Sequence, residues 1–341
     1  MKAPGAMLQG GLAAVGLIAA YTTWQRAPER KAGESVIVDA SASDVQKVRY
    51  EDNSGKSPKW VELERRKEEG GPRVWLHVSA RTEQKTPERE LRGNEAATKL
   101  FDKLAPLKAT RALGVLAADK LKEVGLDAPK KHFELTVRGN KRSFSIGASP
   151  FGVSDPYVKD DADGKVYVLG GGVVSDLDGA AIRLVDRTLH DWKSAEFDAL
   201  SVTAAGKTRE LVQTNAETPA QAKLTSKAGK TDETAKNWHD KIMKIVVSDV
   251  LGKGEVPLHG EPQIALRVDY TSHGKKRGYI EIGRVAAKIP EPPAAGVSAP
   301  PPPPSPAELY ARTETTAGGE KIGATNEDLL KEADKIAASA D

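Results

Sequence analysis

A few short stretches carry residue types that could do chemistry. Asp160-Asp161-Ala162-Asp163-Gly164 has the acid density of a calcium loop. Such a loop takes oxygen ligands at alternate positions, a glycine at the sixth and a bidentate glutamate at the twelfth. With Gly164 as the sixth residue, the first ligand would be Lys159 and the twelfth position is Gly170. Both fail, so the stretch reads as a solvated hairpin turn. Ser272-His273-Gly274-Lys275 has the spacing of a serine–lysine nucleophile. That chemistry needs the lysine one helical turn away in a buried pocket, and these residues fall in an expected hairpin turn. Gly170-Gly171-Gly172 lies between an expected strand and an expected helix, the geometry of an anion-binding loop. It lacks the Gly-Lys-Ser/Thr ending of a phosphate loop, and Asp176 and Asp178 would repel a phosphate, so it reads as a flexible connector.

The six histidines, His77, His132, His190, His239, His259 and His273, show no i,i+4 pair and no HExxH spacing. Cysteine is absent, which excludes disulfides, thiolate chemistry, a lipoprotein anchor and cysteine-based zinc or iron–sulfur sites. No catalytic residue, metal ligand or cofactor is assigned. The turns Gly139-Asn140-Lys141-Arg142 and Gly274-Lys275-Lys276-Arg277 are both basic. They are either solubilising turns or a shared contact for an acidic partner or anionic lipid head groups.

The elements that would hold these residues are mostly strands. Between Val124 and Trp192, the runs Phe133–Val137 and Arg142–Ile146 flank the first basic turn, and Tyr157–Lys159 and Val166–Leu169 flank the acidic one. Period-two alternation with Gly, Asn and Asp between the runs is a hairpin pattern. A short amphipathic helix starting near Ser175 closes the unit. Upstream, Ser35–Asp39, Val45–Tyr50, Trp60–Leu63 and Val74–Val78 read as strands. Asn94 caps a helix whose Ala97, Leu100, Phe101, Leu104 and Leu107 recur at helical spacing, and a second helix over Asp119–Val124 ends at Gly125.

After Trp192 the pattern starts again. FDALSVTAAGK at 197–207 takes the place of SDVQKVRYEDN at 43–53. A helix carrying Trp238, Ile242, Ile245 and Val250 ends at Gly252. PQIALRVDY, GYIEIGR, ELYARTE and NEDLLKEADKI then follow in the order of KHFELTVRG, SFSIGAS, DPYVKDD and SDLDGAAIRLV. The reading is a divergent tandem duplication, 35–192 and 195–338. The second copy carries a Pro-rich insertion at 289–306, which favours an extended polyproline II rod.

Length suggests about two domains. The 51 basic and 48 acidic residues leave a net charge of +3 with no face-sized basic block, so nucleic acid is not an expected partner. Met7–Trp24 holds no charged residue, and at ~1.5 Å per residue it spans ~27 Å, enough to cross a bilayer core. The expectation is a tail (1–6), a transmembrane anchor or signal segment (7–24) and a linker (25–34). Lys2 against Arg26, Arg30 and Lys31 leans toward a cytoplasmic C-terminal side.

The run from GLDAPKKHFELTV through FSIGAS and PYVKDDADGKVYVL to a closing helix resembles the bacterial family known as domain of unknown function 4340, over roughly residues 44–192. The resemblance implies a fold and a setting: an N-terminal membrane segment, export, and a place beside ABC-type or gliding-type transport components. It carries over no catalytic residue. The expected fold is α+β, two related lobes of antiparallel hairpins with a few packed helices after a membrane helix. The expected function is an inner-membrane, single-pass, periplasmic accessory or scaffold protein that is not an enzyme, with envelope or transporter proteins as partners. The alternatives are a hydrolase whose site forms only in three dimensions, and a cell-wall or ligand-binding module with Trp60, Trp75 and Trp192 lining one groove.

Overall fold

The structure, a computed structural model, describes residues 34–56, 58–68, 71–79, 88–218, 221–286 and 307–339. The expected tail, the membrane segment 7–24, the linker up to residue 33 and the insertion 289–306 lie outside the described residues. Among the described residues no helix is long and apolar enough to cross a membrane.

The first lobe contains β1 (Ser35–Val38), β2 (Val45–Asp52), β3 (Lys59–Glu68), β4 (Gly71–Ser79), β5 (Glu88–Arg92), β6 (Leu107–Val115), β7 (Lys131–Val137), β8 (Asn140–Ile146), β9 (Tyr157–Asp160) and β10 (Lys165–Leu169). They form one sheet in the order β1-β6-β10-β9-β8-β7-β2-β3-β4-β5, antiparallel throughout. Strand β4 shows the cause: Val74, Leu76 and Val78 are buried, while Trp75 and His77 alternate onto the other face. Helices α1 (Glu95–Leu104), α2 (Ala118–Glu123), α3 (Val173–Asp178) and α4 (Ala180–Arg183) belong to the same lobe, and α1 and α3 pack on the inner face.

The second lobe contains β11 (Ala199–Ala204), β12 (Lys207–Thr214), β13 (Lys223–Ser226), α5 (Glu233–Ile242), β14 (Val247–Val250), β15 (Gln263–Ser272), β16 (Lys275–Val285), β17 (Glu308–Thr313), β18 (Glu320–Ile322) and α6 (Glu327–Ala338). Its sheet runs β13-β12-β11-β15-β16-β17-β18-β14, again antiparallel. Position by position this is the order β4-β3-β2-β7-β8-β9-β10-β6 of the first sheet, with β1 and β5 as additions at its two ends. The fold is therefore α+β, two antiparallel sheets with a few helices.

Several boundaries differ from expectation. The α1 helix stops at Leu104, because Pro106 has no N–H and disfavours helix in the residue before it; Leu107 opens β6 instead. The α5 helix stops at Ile242, and Val247–Val250 forms β14, since β-branched valines pack better on a pleated surface. The α3 helix begins at Val173 behind Gly172, not at Ser175. The basic turns also shift. The turning residues are Arg138-Gly139 and His273-Gly274, all with positive φ, while Asn140–Arg142 and Lys275–Arg277 are already strand. Such two-residue turns match the right-handed twist of the flanking strands.

One apolar core runs through both lobes, from Leu63 and Phe133 under the first sheet, past Leu184 and Trp192, to Tyr270, Trp238 and Leu330 under the second. The seam between the lobes lies along β5. The Glu90 carbonyl accepts from Lys253 N at 2.8 Å. Arg89, 8% exposed, bonds the Val250 carbonyl and meets Glu255 at 2.8 Å. Arg92, 9% exposed, donates to the Thr315 carbonyl and to both oxygens of Asp191, each at 2.9 Å. Replacing Arg92 by alanine strips a buried seam of its central cation. A broken buried pair typically costs about 3–5 kcal/mol. Asp191 keeps Arg73 at 2.8 Å, so the expected loss is at the lower end, about 3 kcal/mol, read as a fall in the urea midpoint at constant m-value. An unchanged midpoint would mean that apolar contact alone holds the seam.

Candidate functional site

Three places bring polar side chains together. The first lies under the connector between the sheets. Trp192 Nε1 donates to Glu314 Oε1 at 2.8 Å, His190 Nδ1 lies 2.9 Å from the same oxygen, and Tyr279 N donates to Glu314 Oε2 at 2.8 Å. Burial pushes the Glu314 carboxyl up, but the His190 ring and backbone N–H donors outweigh it and hold the group below the usual carboxylate range. The Trp192 ring packs against His190 and Tyr270, at 4.3 and 4.8 Å between centroids, and the Tyr270 hydroxyl lies 3.2 Å from His239 Nε2. Burial pushes His239 down to about 4, so it is neutral at neutral pH. The approach is tight: a Cβ on Gly278 would lie 2.5 Å from Glu314 Oε2 and 2.7 Å from Trp192 Nε1. These groups hold the connector against the second sheet.

The second place is on the first sheet. Ser145, 4% exposed, donates to Asp161 Oδ1 at 2.8 Å and lies 3.4 Å from His132 Nδ1. His132 Nε2 faces the Pro129 carbonyl at 3.1 Å. A hydrolytic triad places the histidine between serine and carboxylate. Here the carboxylate takes the serine proton directly, so the order is wrong for activating a nucleophile.

The third is a cleft of about 500 Å³ beside the seam, lined by Arg73, Arg92, Asn94, Thr98, Asp186 and Asp191 among others. Its two cations face its own carboxylates: Asp191 takes both arginines, and Asp186 lies 3.5 Å from Arg92 Nε.

The stretches singled out by sequence stay apart from one another. Asp160 is fully buried with Arg142 Nε at 2.7 Å, so the acidic turn is solvated only from Asp161 to Asp163. Among the described residues no group of three or more His, Asp or Glu could hold a metal ion. Ser272 and Lys275 face each other across the two-residue turn, at its open end. Gly172 N already donates to Asp155 Oδ1 at 3.3 Å, so a carboxylate of the chain sits at the glycine loop. Of the basic turns, Arg277 is engaged by Glu196 and Lys141 by Glu134 at 2.9 Å. Trp192 is a core residue; Trp60 and Trp75 stand half-buried on the outer face, each under its own arginine, Arg49 at 4.6 Å and Arg66 at 5.5 Å. The three rings do not line one groove.

Sequence reasoning missed Arg89, Arg92, Glu314 and Glu320. The readable signal was phase, since Arg89 shares the inward face of its strand with Leu91. Glu320 is 3% exposed, and its Oε2 has no hydrogen-bond partner. Burial pushes its carboxyl up to about 8, Asp186 adds to this, and Arg187 and Arg92 offset only part of it. From pH 4.5 to about 8 the unfolded chain has lost this proton while the folded chain keeps it, so stability falls as pH rises through that window. Glu320→Gln is expected to remove the fall, with a gain of a few kcal/mol above about pH 8 and little near pH 4.5, followed by denaturant titration at each pH. A variant that tracks the wild-type slope would mean that Glu320 ionises freely.

The model of one protein family, described as "Domain of unknown function (DUF4340)", matches residues 93–260. This span shares residues 93–192 with the stretch that carried the resemblance, then crosses the seam and takes in β11 to β14. No curated protein and no solved structure matches the chain. Over residues 93–260, which hold the α1-to-β10 unit, the chain matches the family of domain of unknown function DUF4340.

Proposed function

We propose that this protein is a non-enzymatic accessory or scaffold subunit, anchored in the inner membrane by residues 7–24 with its bulk in the periplasm. It serves an ABC-type transport or motility assembly, with envelope or transporter proteins as partners. The observation that carries the reading is the outer face of the first sheet. From β7 to β5 it is a polar surface lined by ion pairs within and across its strands, with a shallow hollow beside Arg49, Glu134 and Lys141. Lys47 meets Glu62 at 2.8 Å, Arg49 lies between Glu51 at 2.7 Å and Glu62 at 3.7 Å, and Arg66 joins Glu64 at 2.9 Å and Glu90. Interfaces between proteins carry a polar, ion-paired rim, and a face of this chemistry suits such contacts. The membrane setting is supported by the uncharged run Met7–Trp24 and by the family resemblance; the lysine-plus-arginine count beside that run leans against the periplasmic orientation.

The two lobes, 35–192 and 195–338, are read as divergent copies of one unit. The support is the shared order of eight strands, with α1 preceding β6 as α5 precedes β14, and α3 following β10 as α6 follows β18. The insertion 289–306 falls between β16 and β17, whose flanking residues Val285 and Glu308 remain paired.

Alkaline phosphatase fused after Asp341 is expected to be active, and the full chain is expected to stay with membranes through a carbonate wash. An inactive fusion beside an active cytoplasmic reporter at the same point overturns the localisation. Replacing Pro292–Ser305 by a short Gly/Ser bridge is expected to cost less than about 1 kcal/mol, because loop-closure free energy changes slowly with length. A loss of several kcal/mol would end the reading of 289–306 as an insertion.

A further inference from the structure

Four of the five phenylalanines, Phe101, Phe133, Phe144 and Phe197, are buried. Phe151 is 107% exposed, with Val153 beside it at 47%. Isolated exposed apolar residues are common and need no explanation. Phe151 differs because the segment that carries it is braced at both ends and across its middle. Ala148 N donates to the Val124 carbonyl at 2.9 Å, and Tyr157 N to the Ala148 carbonyl at 2.8 Å. Ser149 Oγ donates to the Ser154 carbonyl at 3.2 Å, and Asp155 is tied to Gly172 N. At the tip, Val153 N donates to the Pro150 carbonyl at 3.1 Å around Gly152, whose φ of +74° suits glycine at that place in the turn. The bracing holds an aromatic ring in water.

We propose that Phe151 is an anchor that a partner protein takes into an apolar pocket about one ring deep, with Val153 covering the rim; this rests on the accessory-subunit reading above. Charge and rigidity choose the occupant. Residues 147–156 hold no lysine or arginine, and their one charged residue is Asp155, so neither anionic lipid nor nucleic acid finds a counter-charge there. A shaped pocket gains affinity, because a preorganised loop loses less entropy on binding. Aromatic rings in desolvated pockets are also the residues that dominate protein interfaces.

The test places a photoreactive benzoylphenylalanine at position 151 of the full chain in its native membranes, with the exposed positions of Val115 and Ile182 as controls. The expected result is one protein adduct at position 151 that the controls lack. That protein, purified, should bind the wild type and bind Phe151→Ser at least about tenfold more weakly, with the thermal unfolding of the variant unchanged. Lipid adducts alone, no adduct, the same adducts at all three positions, or equal binding by Phe151→Ser each overturns the proposal. The reporter fusion separates the two readings. An active fusion with no ring-dependent binding sinks the anchor and leaves the periplasmic setting standing; an inactive fusion with ring-dependent binding keeps the anchor and overturns that setting.

Discussion

The edge of β5 is the constraint on which the rest of the molecule depends. A strand edge presents unpaired N–H and C=O groups that must meet water or another strand. Here Glu90 gives its carbonyl to Lys253, and the two arginines flanking it, Arg89 and Arg92, reach across to the second lobe. Both are buried, and a buried guanidinium is tolerated only with its carboxylates in place. Glu255, Asp186 and Asp191 supply them. With the seam closed, the connector has little freedom left, and Trp192 is pressed onto Glu314 where Gly278 leaves room.

Two of the other sheet edges are blunted. Strand β6 pairs with β1 only over Leu107–Ala109, and its ladder with β10 is interrupted twice by register shifts. Bulges of this kind bend an edge away from chance pairing. Strand β13 is four residues long and begins with Lys223. The uncovered polar face of the first sheet has a different character. Its charges are matched within the face, so they largely cancel one another's field.

Much of the architecture was legible because it follows from period and turn chemistry. The β4 alternation, the Asn94 cap and the hairpins around Phe133 and Val166 are local, and local signals survive folding. The misses were of two kinds. Leu107 and Val250 extend a helical spacing, yet Pro106 and the valines of 246–250 favour strand, so a pattern of spacing lost to backbone chemistry. The acids and arginines of the interior were illegible for another reason. Asp160 looks like any turn aspartate until Arg142 folds onto it, and Arg89 meets Glu255 only across 166 residues of chain. A charge announces burial only through its distant partner, and no local pattern encodes that.

Strand β5 has no equivalent in the second sheet. After β13 the described chain makes a single bridge, Thr225 with Thr231, and α5 begins at Glu233. A head-to-tail contact between unlike surfaces is open-ended by nature, since each unit that docks can offer the next its own socket, and fibres grow this way. In this chain the socket is a strand, and among the described residues the second sheet makes no counterpart of it, so this kind of contact is not offered again at the second lobe.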